Sequence, residues 1–302
     1  MKISFFSESQ INGKIARDFP NARTEYAWMI ALDAPHYNLN NIPTEKFDLG
    51  IVIIPKNNPN IDLDSLRQCC DKVAVMQEGP NWYFQDYSVE QQFHYYNTLV
   101  TADWVYCHND SDWSYFTGLG CEDVRVMRSL MIPEGLVPRN EWGNGTMIGG
   151  NFVSWYGGFD SYMVAREIGN SIWAPSMGRK QDQENLIEDI NYLNYMNWRE
   201  WITTLGQFNI GVHLMRTHAA GTFAMNCGFH GIPCIGYKGL DTQELLHPLT
   251  TVEVGDLDGA KEIAKKLRSE RFYNLCSDTI TKRFEQNYTE KKWKENWRIT
   301  NG

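Results

Sequence analysis

The amino-acid sequence predicts an α/β protein built from two domains, each with a doubly wound parallel sheet. The chain has 302 residues, and domains of roughly 150 residues are common. Short apolar runs, typical of strands buried on both faces, alternate with helical segments, which indicates parallel sheets. The alternation begins again after a loop over residues 133–145 that is rich in Pro, Gly, Asn and charge. We therefore place the domains at residues 1–140 and 141–302.

In the first domain, continuous or near-continuous apolar runs predict the strands, and longer segments with helical patterning predict the helices between them. The predicted strands are Lys2–Ser7, Phe47–Pro55, Val73–Gln77, Trp104–His108 and Val124–Leu130. The predicted helices are Ala22–Leu32 and Val89–Ala102. Ligands of such sheets bind at the carboxyl ends of the strands.

In the second domain the same pattern predicts four strands and an amphipathic helix near the end of the chain. The strands are Met147–Gly150, Ile172–Ala174, Ile210–Leu214 and Cys234–Tyr237, and the helix is Leu257–Ser269. Lys, Glu, Trp and Phe recur at helical spacing over Thr281–Trp297. We expect one closing helix there, packing back on the N-terminal domain.

Composition limits the classes of partner. The formal net charge of -9 argues against a protein whose affinity comes mainly from DNA phosphates, because that affinity needs clustered Lys and Arg. The start of the chain has no signal-peptide core, and no run is long enough to span a membrane, so we expect a cytoplasmic protein. Seven cysteines without zinc-finger spacing predict buried thiols, no disulfide and no structural metal.

The segment Gly211–Gly236 carries the strongest functional pattern. A strand is followed by the small-residue loop Ala219–Gly221, after which Thr222 is placed to cap a helix that stops at Gly231. Loop amides at a helix start form an anion site. The helix dipole supplies at most about 2 kcal/mol, so a bound diphosphate also needs cations. The candidates are Arg179, Lys180 and Arg216.

This segment resembles the donor-binding motif of GT-B glycosyltransferases, in which Glu-x7-Glu straddles a glycine loop and leads into a Gly-x-Pro turn. Here His218 and Asn226 stand at the two Glu positions, Gly221 falls on the loop glycine, and Gly231 begins the closing turn. The resemblance implies a GT-B fold, two Rossmann-like domains whose parallel sheets face a central cleft. It also implies that Asn226 binds the nucleotide ribose, which its amide can do because it both donates and accepts.

The resemblance extends to two further segments. Gly149–Ala165 is similar to the first strand, glycine loop and helix of a GT-B C-terminal domain, which implies donor contacts from Gly150 and Asn151. Tyr192–Trp201 stands where the nucleotide base lies in that family, and the candidates there are Tyr195 and Met196. The chain is also similar to bacteriophage glycosyltransferase-like proteins over Gln77–Ser88 and His213–Phe223, which would place it in a host cytoplasm.

The implied activity is metal-independent transfer of a hexosyl or pentosyl group from a UDP- or GDP-sugar to a hydroxyl acceptor, with no permanently bound cofactor. The acceptor is a glycan, a small molecule or a modified DNA base. An inverting transferase needs a carboxylate or imidazole within hydrogen-bond reach of the acceptor hydroxyl. Glu78 and His108 qualify because each ends a predicted strand, and His218 stands at the first Glu position of the donor motif.

Other functional classes remain open or are disfavoured. A DNA-modifying version would need a basic track near Arg125, Arg128 and Arg139. A sugar-nucleotide epimerase that does not use NAD, and a non-catalytic module that binds a nucleotide or glycan, fit the same architecture. Three Asp-x-Asp triplets have metal-binding spacing, but we interpret them as turn or helix-start acids. These are Asp62–Asp64, Asp110–Asp112 and Asp256–Asp258.

Overall fold

A computed structural model describes residues 1–55, 58–77, 79, 87–150, 152, 155–175 and 182–302. The chain divides into two compact units. Unit 1 comprises residues 1–132, 218–220 and 290–302, and unit 2 comprises residues 133–217 and 221–289. The main division thus falls between Ile132 and Pro133, slightly before the expected boundary at residue 140.

Unit 1 contains a six-stranded, all-parallel sheet in the order β2-β1-β3-β4-β5-β6. Its strands are β1 (Ile3–Ser7), β2 (His36–Asn38), β3 (Phe47–Ile53), β4 (Cys70–Met76), β5 (Trp104–Cys107) and β6 (Val124–Val126). The first four helices are α1 (Thr24–Leu32), α2 (Leu63–Arg67), α3 (Val89–Thr101) and α4 (Asp110–Gly118).

Unit 2 contains a second six-stranded parallel sheet in the order β12-β11-β10-β7-β8-β9. Its strands are β7 (Thr146–Ile148), β8 (Ile172–Pro175), β9 (Ile190–Leu193), β10 (Ile210–His213), β11 (Cys234–Tyr237) and β12 (Thr251–Val252). The remaining helices are α5 (Gly158–Ala165), α6 (Trp198–Leu205), α7 (Thr222–Phe229), α8 (Asp241–Leu246), α9 (Leu257–Lys266), α10 (Glu270–Asn287) and α11 (Glu290–Asn301), of which α11 belongs to unit 1.

The cores explain why these segments form strands. Strand β3 is buried at every position except Asp48, and the valines of β4 pack with it, as expected for central parallel strands. In unit 2, alternate residues of β10 face opposite sides of the sheet. Val212 lies in one apolar cluster, whereas Gly211 lies against Phe223 in the other. Each sheet is therefore covered by helices on both faces.

The last helix completes the core of unit 1. Trp293 and Trp297 of α11 are buried and lie beside Trp28 of α1, with ring centroids 5.2 and 6.2 Å away. Trp293 Nε1 also donates to the carbonyl of Arg128 at 2.9 Å. Aromatic contacts of this kind add roughly 0.5–1.5 kcal/mol per pair beyond the burial of area.

Some expected elements differ from the structure. The single closing helix over Thr281–Trp297 is wrong, because α10 ends at Asn287 and α11 begins at Glu290. The break falls at Tyr288, whose side chain is buried. The strand expected to reach Leu130 ends at Val126. Strands β2, β9 and β12, of three, four and two residues, were missed because such short segments carry no periodicity.

All seven cysteines are buried and free, as small apolar residues of the cores. Within the described ranges, no helix is long and apolar enough to cross a membrane.

Candidate functional site

The sheet of unit 2 has a topological switch point between β7 and β10. These two strands are parallel neighbours, with Val212 paired to Ile148. From β7 the chain continues to β8 on one side, and from β10 it continues to β11 on the other. In doubly wound sheets the loops that leave such a pair of strands diverge and open a crevice, which is where ligands bind.

Glycines let the backbone approach closely at this point. Gly157 precedes α5 with φ +62, and a Cβ there would lie 2.1 Å from the carbonyl oxygen of Leu214. A Cβ on Gly149 would meet the rings of Phe223 and His213 at 2.6 and 2.7 Å. The predicted donor residue Gly150 is similarly confined by Tyr156, at 2.7 Å. The backbone at the switch point is therefore packed so closely that these positions have no room for side chains.

Helix α7 begins at the same crevice. Gly221 is its N-cap, with φ +64, and Thr222 is its first helical residue, so the expectation that Thr222 caps the helix is wrong. A Cβ at Gly221 would lie 2.0 Å from Thr242 Oγ1, and the left-handed φ also favours glycine. The helix ends before Gly231, whose φ of +63 matches the predicted stop.

The charges near the two helix starts differ. Asp160 lies in the first turn of α5. Its Oδ2 accepts a hydrogen bond from Arg216 at 3.1 Å and one from the Tyr237 hydroxyl at 3.4 Å. The first turn of α7 contains no acidic residue. An anion is therefore repelled less at α7 than at α5, and the charge of Arg216 is already balanced by Asp160.

The structure also describes three other predicted donor residues. Asn226 is 1% exposed, and its Oδ1 accepts from Trp198 Nε1 at 3.4 Å. Tyr195 is 78% exposed in the loop between β9 and α6, beside half-buried Met196. The predicted site residues Glu78, Asn151, Arg179 and Lys180 lie outside the described residues.

His213, which sequence reasoning missed, ends β10 at the crevice. Its ring stacks on Tyr156 at 6.4 Å and meets the Phe223 ring edge-on at 5.3 Å. Burial lowers the pKa of His213 to about 4, since a charged imidazole is costly away from water. The side chain is therefore neutral near pH 7. A single histidine within an apolar strand gives no signal in the sequence that would have revealed it.

In unit 1, polar side chains gather at the carboxyl ends of β4 and β5. His108 follows β5 and is 3% exposed, and its Nδ1 lies 3.2 Å from the carbonyl oxygen of Met127. Because a carbonyl only accepts hydrogen bonds, Nδ1 carries the proton. In the neutral imidazole, Nε2 is then the basic nitrogen.

The loop His218–Ala220 contributes to the same group and is part of unit 1. His218 Nδ1 lies 3.0 Å from Ser111 Oγ and 3.6 Å from Asp112 Oδ1, both in the first turn of α4. Asn109 Nδ2 donates to Asp112 Oδ2 at 2.8 Å and to the carbonyl of Ala219 at 2.9 Å. The structure thus brings His108 and His218, two of the three predicted catalytic residues, into the same unit.

A small cavity opens beside these groups. It is lined by Gln77, Gly79, Cys107, His108, Asp112, Phe116 and Ala219. Asp112 is a functional candidate that the interpretation of Asp110 and Asp112 as helix-start acids does not identify. Both do lie in the first turn of α4, but only Asp112 is buried. No pattern in the sequence separates the two.

The other acidic triplets lie at helix starts, as predicted. Asp62 accepts from Ser65 N and caps α2, and Asp256 accepts from Gly259 N and caps α9. Within the described ranges, no group of three His, Cys, Asp or Glu side chains has metal-binding geometry.

Two arginines of the suggested DNA track have intramolecular partners. Arg125 donates to Asp123 and lies over the Trp104 ring at 4.0 Å. Arg139 donates to the carbonyls of Phe208, His230 and Gly231. These guanidinium groups are engaged in the protein's own structure, which lowers their capacity to bind phosphates.

No family model matches this sequence, and no curated protein matches it. Solved structures do resemble it. Sucrose-phosphate synthase from Thermosynechococcus elongatus superposes with a TM-score of 0.70 at 11% identity, covering 99% of this chain and 98% of that one. HepE from Anabaena, in complex with UDP and glucose, gives a TM-score of 0.68 at 10% identity, covering 99% of each chain.

A TarM variant from S. aureus, in complex with fondaparinux, alpha-GlcNAc-glycerol and UDP, gives a TM-score of 0.63 at 9% identity. That match covers 84% of this chain, which spans only 55% of the TarM chain. The likenesses, together with two six-stranded parallel sheets flanked by helices, confirm the predicted fold: this chain has the GT-B fold.

Proposed function

We propose that this protein transfers a sugar from a nucleoside-diphosphate sugar to a hydroxyl acceptor, without a metal ion. The observation that carries the proposal is the switch point of unit 2, where glycine-lined backbone and the start of α7 meet. HepE, which shares the fold, was solved with UDP and glucose. A fold can host several activities, so the argument depends on the site.

The diphosphate is proposed to bind at the start of α7, near Gly221 and Thr222. Backbone amides at a helix start attract anions, and the first turn of α7 has no acid that would oppose them. The dipole of the helix contributes at most about 2 kcal/mol. Arg179 and Lys180 are proposed to supply most of the remaining positive charge, because Arg216 is held by Asp160.

The nucleoside is proposed to lie along the loop before α6. Tyr195 is exposed there and offers a flat aromatic face on which a base can stack. Asn226 is the proposed ribose contact. Since Trp198 already donates to its Oδ1, the amide NH₂ of Asn226 is the group left to donate to a ribose hydroxyl. A pyrimidine donor such as a UDP-sugar is the first to test.

Unit 1 is proposed to supply the acceptor side. When the His108 ring is neutral, Nε2 is its basic nitrogen, because Nδ1 donates to the carbonyl of Met127. In the transfer, the acceptor oxygen forms the new bond to the anomeric carbon while the bond from that carbon to the phosphate oxygen breaks. The acceptor's proton passes to His108, and the nucleoside diphosphate leaves as an anion.

A thermal-shift screen tests this proposal directly. UDP, GDP, UDP-glucose and GDP-mannose are added with EDTA and, in parallel, with Mg²⁺. A ligand at about 100 times its Kd stabilises the fold by roughly 2.7 kcal/mol. We expect a uridine ligand to raise Tm equally in both conditions. If none of the four ligands moves the transition, nucleotide-sugar binding is refuted.

Matched variants refine the screen. Asn226→Ala is expected to weaken the UDP-induced shift, whereas Asp62→Ala, which removes the cap of α2 in unit 1, is expected to lower Tm without changing that shift. Incubating the donor alone separates the alternatives, because an epimerase converts it to an isomer and a non-catalytic module leaves it intact. Sugar incorporation into hydroxymethylated DNA would favour the DNA-modifying version.

A further inference from the structure

The carboxyl group of Asp112 in unit 1 has one oxygen with no assigned hydrogen bond. Asp112 is 7% exposed. Its Oδ2 accepts from Asn109 at 2.8 Å, whereas Oδ1 is buried and accepts no hydrogen bond in the part of the chain that the structure describes. His218 Nδ1 lies 3.6 Å from Oδ1, which is beyond hydrogen-bonding distance. A buried carboxylate oxygen in this state is costly unless a further group donates to it.

The cavity that Asp112 lines gives such a group room to bind. It is small, so a single hydroxyl group or water molecule fits and a larger group does not. Its lining mixes the apolar ring of Phe116 with the polar groups of Gln77, His108 and Asp112. Gln77 and His108 are also buried. A hydroxyl entering the cavity would therefore be surrounded by groups held in place by packing.

Charge limits what can enter. Asp110 and Asp112 both lie in the first turn of α4, and that turn contains no Lys or Arg. A phosphate or carboxylate approaching Asp112 would be repelled, since like charges at short distance in a buried site interact strongly. A neutral hydroxyl would instead donate to Oδ1 in a charge-assisted hydrogen bond. The cavity thus selects a neutral polyol over an anionic ligand.

We propose that the cavity of unit 1 binds a hydroxyl group of a neutral sugar acceptor, which donates to Asp112 Oδ1. This assignment rests on the proposed function, which requires a hydroxyl acceptor, and deepens it by naming the acceptor's class. It makes Asp112 a binding residue that selects neutral glycosides and disfavours polyanions such as DNA. His108 lines the same cavity, so a hydroxyl bound there lies beside the proposed base.

The substitution Asp112→Asn tests the assignment with little change of shape. The Asn109 amide donates to the side chain at this position, so the oxygen of the introduced amide must face Asn109 and its NH₂ group must face the cavity. The substitution thereby replaces an acceptor with a donor. Loss of a hydrogen bond to a charged group predicts roughly 10- to 100-fold weaker binding of the hydroxyl ligand.

The experiment measures binding of methyl α-glucoside, glycerol and glucose 6-phosphate by saturation-transfer NMR, and binding of UDP by calorimetry, in wild type and variants. We expect wild type to bind methyl α-glucoside more tightly than glucose 6-phosphate. Asp112→Asn should weaken glycoside binding roughly 10- to 100-fold and leave the Kd of UDP unchanged. Asp110→Asn, which removes the same charge from the same helical turn, should leave both unchanged.

Two results would overturn the proposal: equal glycoside affinity in wild type and Asp112→Asn, or preferential binding of the phosphorylated sugar. Should Asp112→Asn fail to fold, Ala219→Val reduces the same cavity without changing charge and should likewise weaken glycoside binding. UDP binding is a separate readout. If wild type does not bind UDP, the proposed function is refuted. If wild type binds UDP but does not prefer methyl α-glucoside over glucose 6-phosphate, only the role of Asp112 is refuted.

Discussion

The two units use the carboxyl ends of similar parallel sheets in different ways. In unit 1 the strand ends present side chains: Gln77, His108 and Asp112 converge on one cavity. In unit 2 they present backbone, because Gly157 and Gly221 bring chain segments too close for a Cβ. Side chains suit the recognition and deprotonation of a hydroxyl, and bare backbone suits a phosphate. The proposed assignment of acceptor and donor to the two units therefore rests on these strand ends and not on the fold alone.

The helix starts show the same contrast. Helix α4 of unit 1 begins with two acids, whereas α7 of unit 2 begins with none. An anion is favoured at the positive end of a helix unless acidic side chains already occupy it. The distribution of acidic residues thus supports the proposal that unit 1 binds the neutral hydroxyl acceptor and unit 2 binds the anionic diphosphate of the donor.

The largest predicted difference between the units is in how much stability each loses as the pH falls. Burial lowers the pKa values of His213, His230 and His247, all in unit 2, to about 4. In the unfolded chain a histidine titrates near 6.5. The stabilisation from these neutral rings is therefore complete above about pH 6.5 and is lost as the pH falls towards 4. Between pH 7 and 5, each ring is expected to lower the free energy of unfolding by roughly 1 to 2 kcal/mol.

Hydrogen bonds reinforce this effect at two of the rings. His247 Nδ1 accepts from the amide of Cys234, and His230 Nδ1 accepts from the amide of Arg139. Protonation would place two N–H groups against each other. Hydrogen-exchange protection, corrected for intrinsic rates, should fall more in β10, α7 and β11 than in β3 and β4 between pH 7 and 5. Equal losses in both units would contradict the prediction.

Substitution of one buried histidine tests whether the neutral imidazoles cause this pH dependence. His247→Gln removes one of the three buried imidazoles, so it should make the pH dependence of unit 2 shallower even though it lowers stability at pH 7. His94→Gln, at a partly exposed position of α3, is the control and should leave the slope unchanged.

The second prediction concerns the bare backbone of unit 2. Gly157→Ala would place a Cβ 2.1 Å from the carbonyl oxygen of Leu214 at a φ of +62. Overpacking against backbone and a left-handed conformation together should cost about 3 kcal/mol, measured by urea denaturation. Gly255→Ala is the control, because its φ is +88 and no heavy atom lies within 4 Å. That change should cost roughly 1 to 2 kcal/mol; equal costs would show that the close approach is unimportant.

The sequence predicts features that extend over several consecutive residues, and it does not predict features that depend on one residue and a distant part of the chain. The apolar run that became β3 was recognised because it is seven residues long and buried almost throughout. The cap of α7 was assigned to Thr222 because threonine is a common cap, but the contact of Gly221 with Thr242 comes from a distant part of the chain. Asp112 differs from Asp110 only in the direction that α4 gives each side chain.

The smallest predicted effect concerns helices other than α4 and α7. It tests whether the two units also differ in how much their helix caps stabilise the fold. Among the residues that the structure describes, one helix of each unit begins with a full capping box, formed by Ser88 and Gln91 in α3 and by Asn197 and Glu200 in α6. Ser88→Ala and Asn197→Ala should each cost about 1 kcal/mol by urea denaturation, because a cap satisfies only local amides.

If the two substitutions lower the free energy of unfolding by similar amounts, the difference between the units is confined to the helices that begin at the candidate sites. Asn197 has a second readout, since it follows the loop of Tyr195 that is proposed to hold the base. If Asn197→Ala weakens UDP binding beyond its effect on stability while Ser88→Ala does not, the start of α6 belongs to the donor site. A markedly larger stability cost for Ser88→Ala would instead show that α3 depends on its cap more than its buried residues Tyr95 and Leu99 suggest.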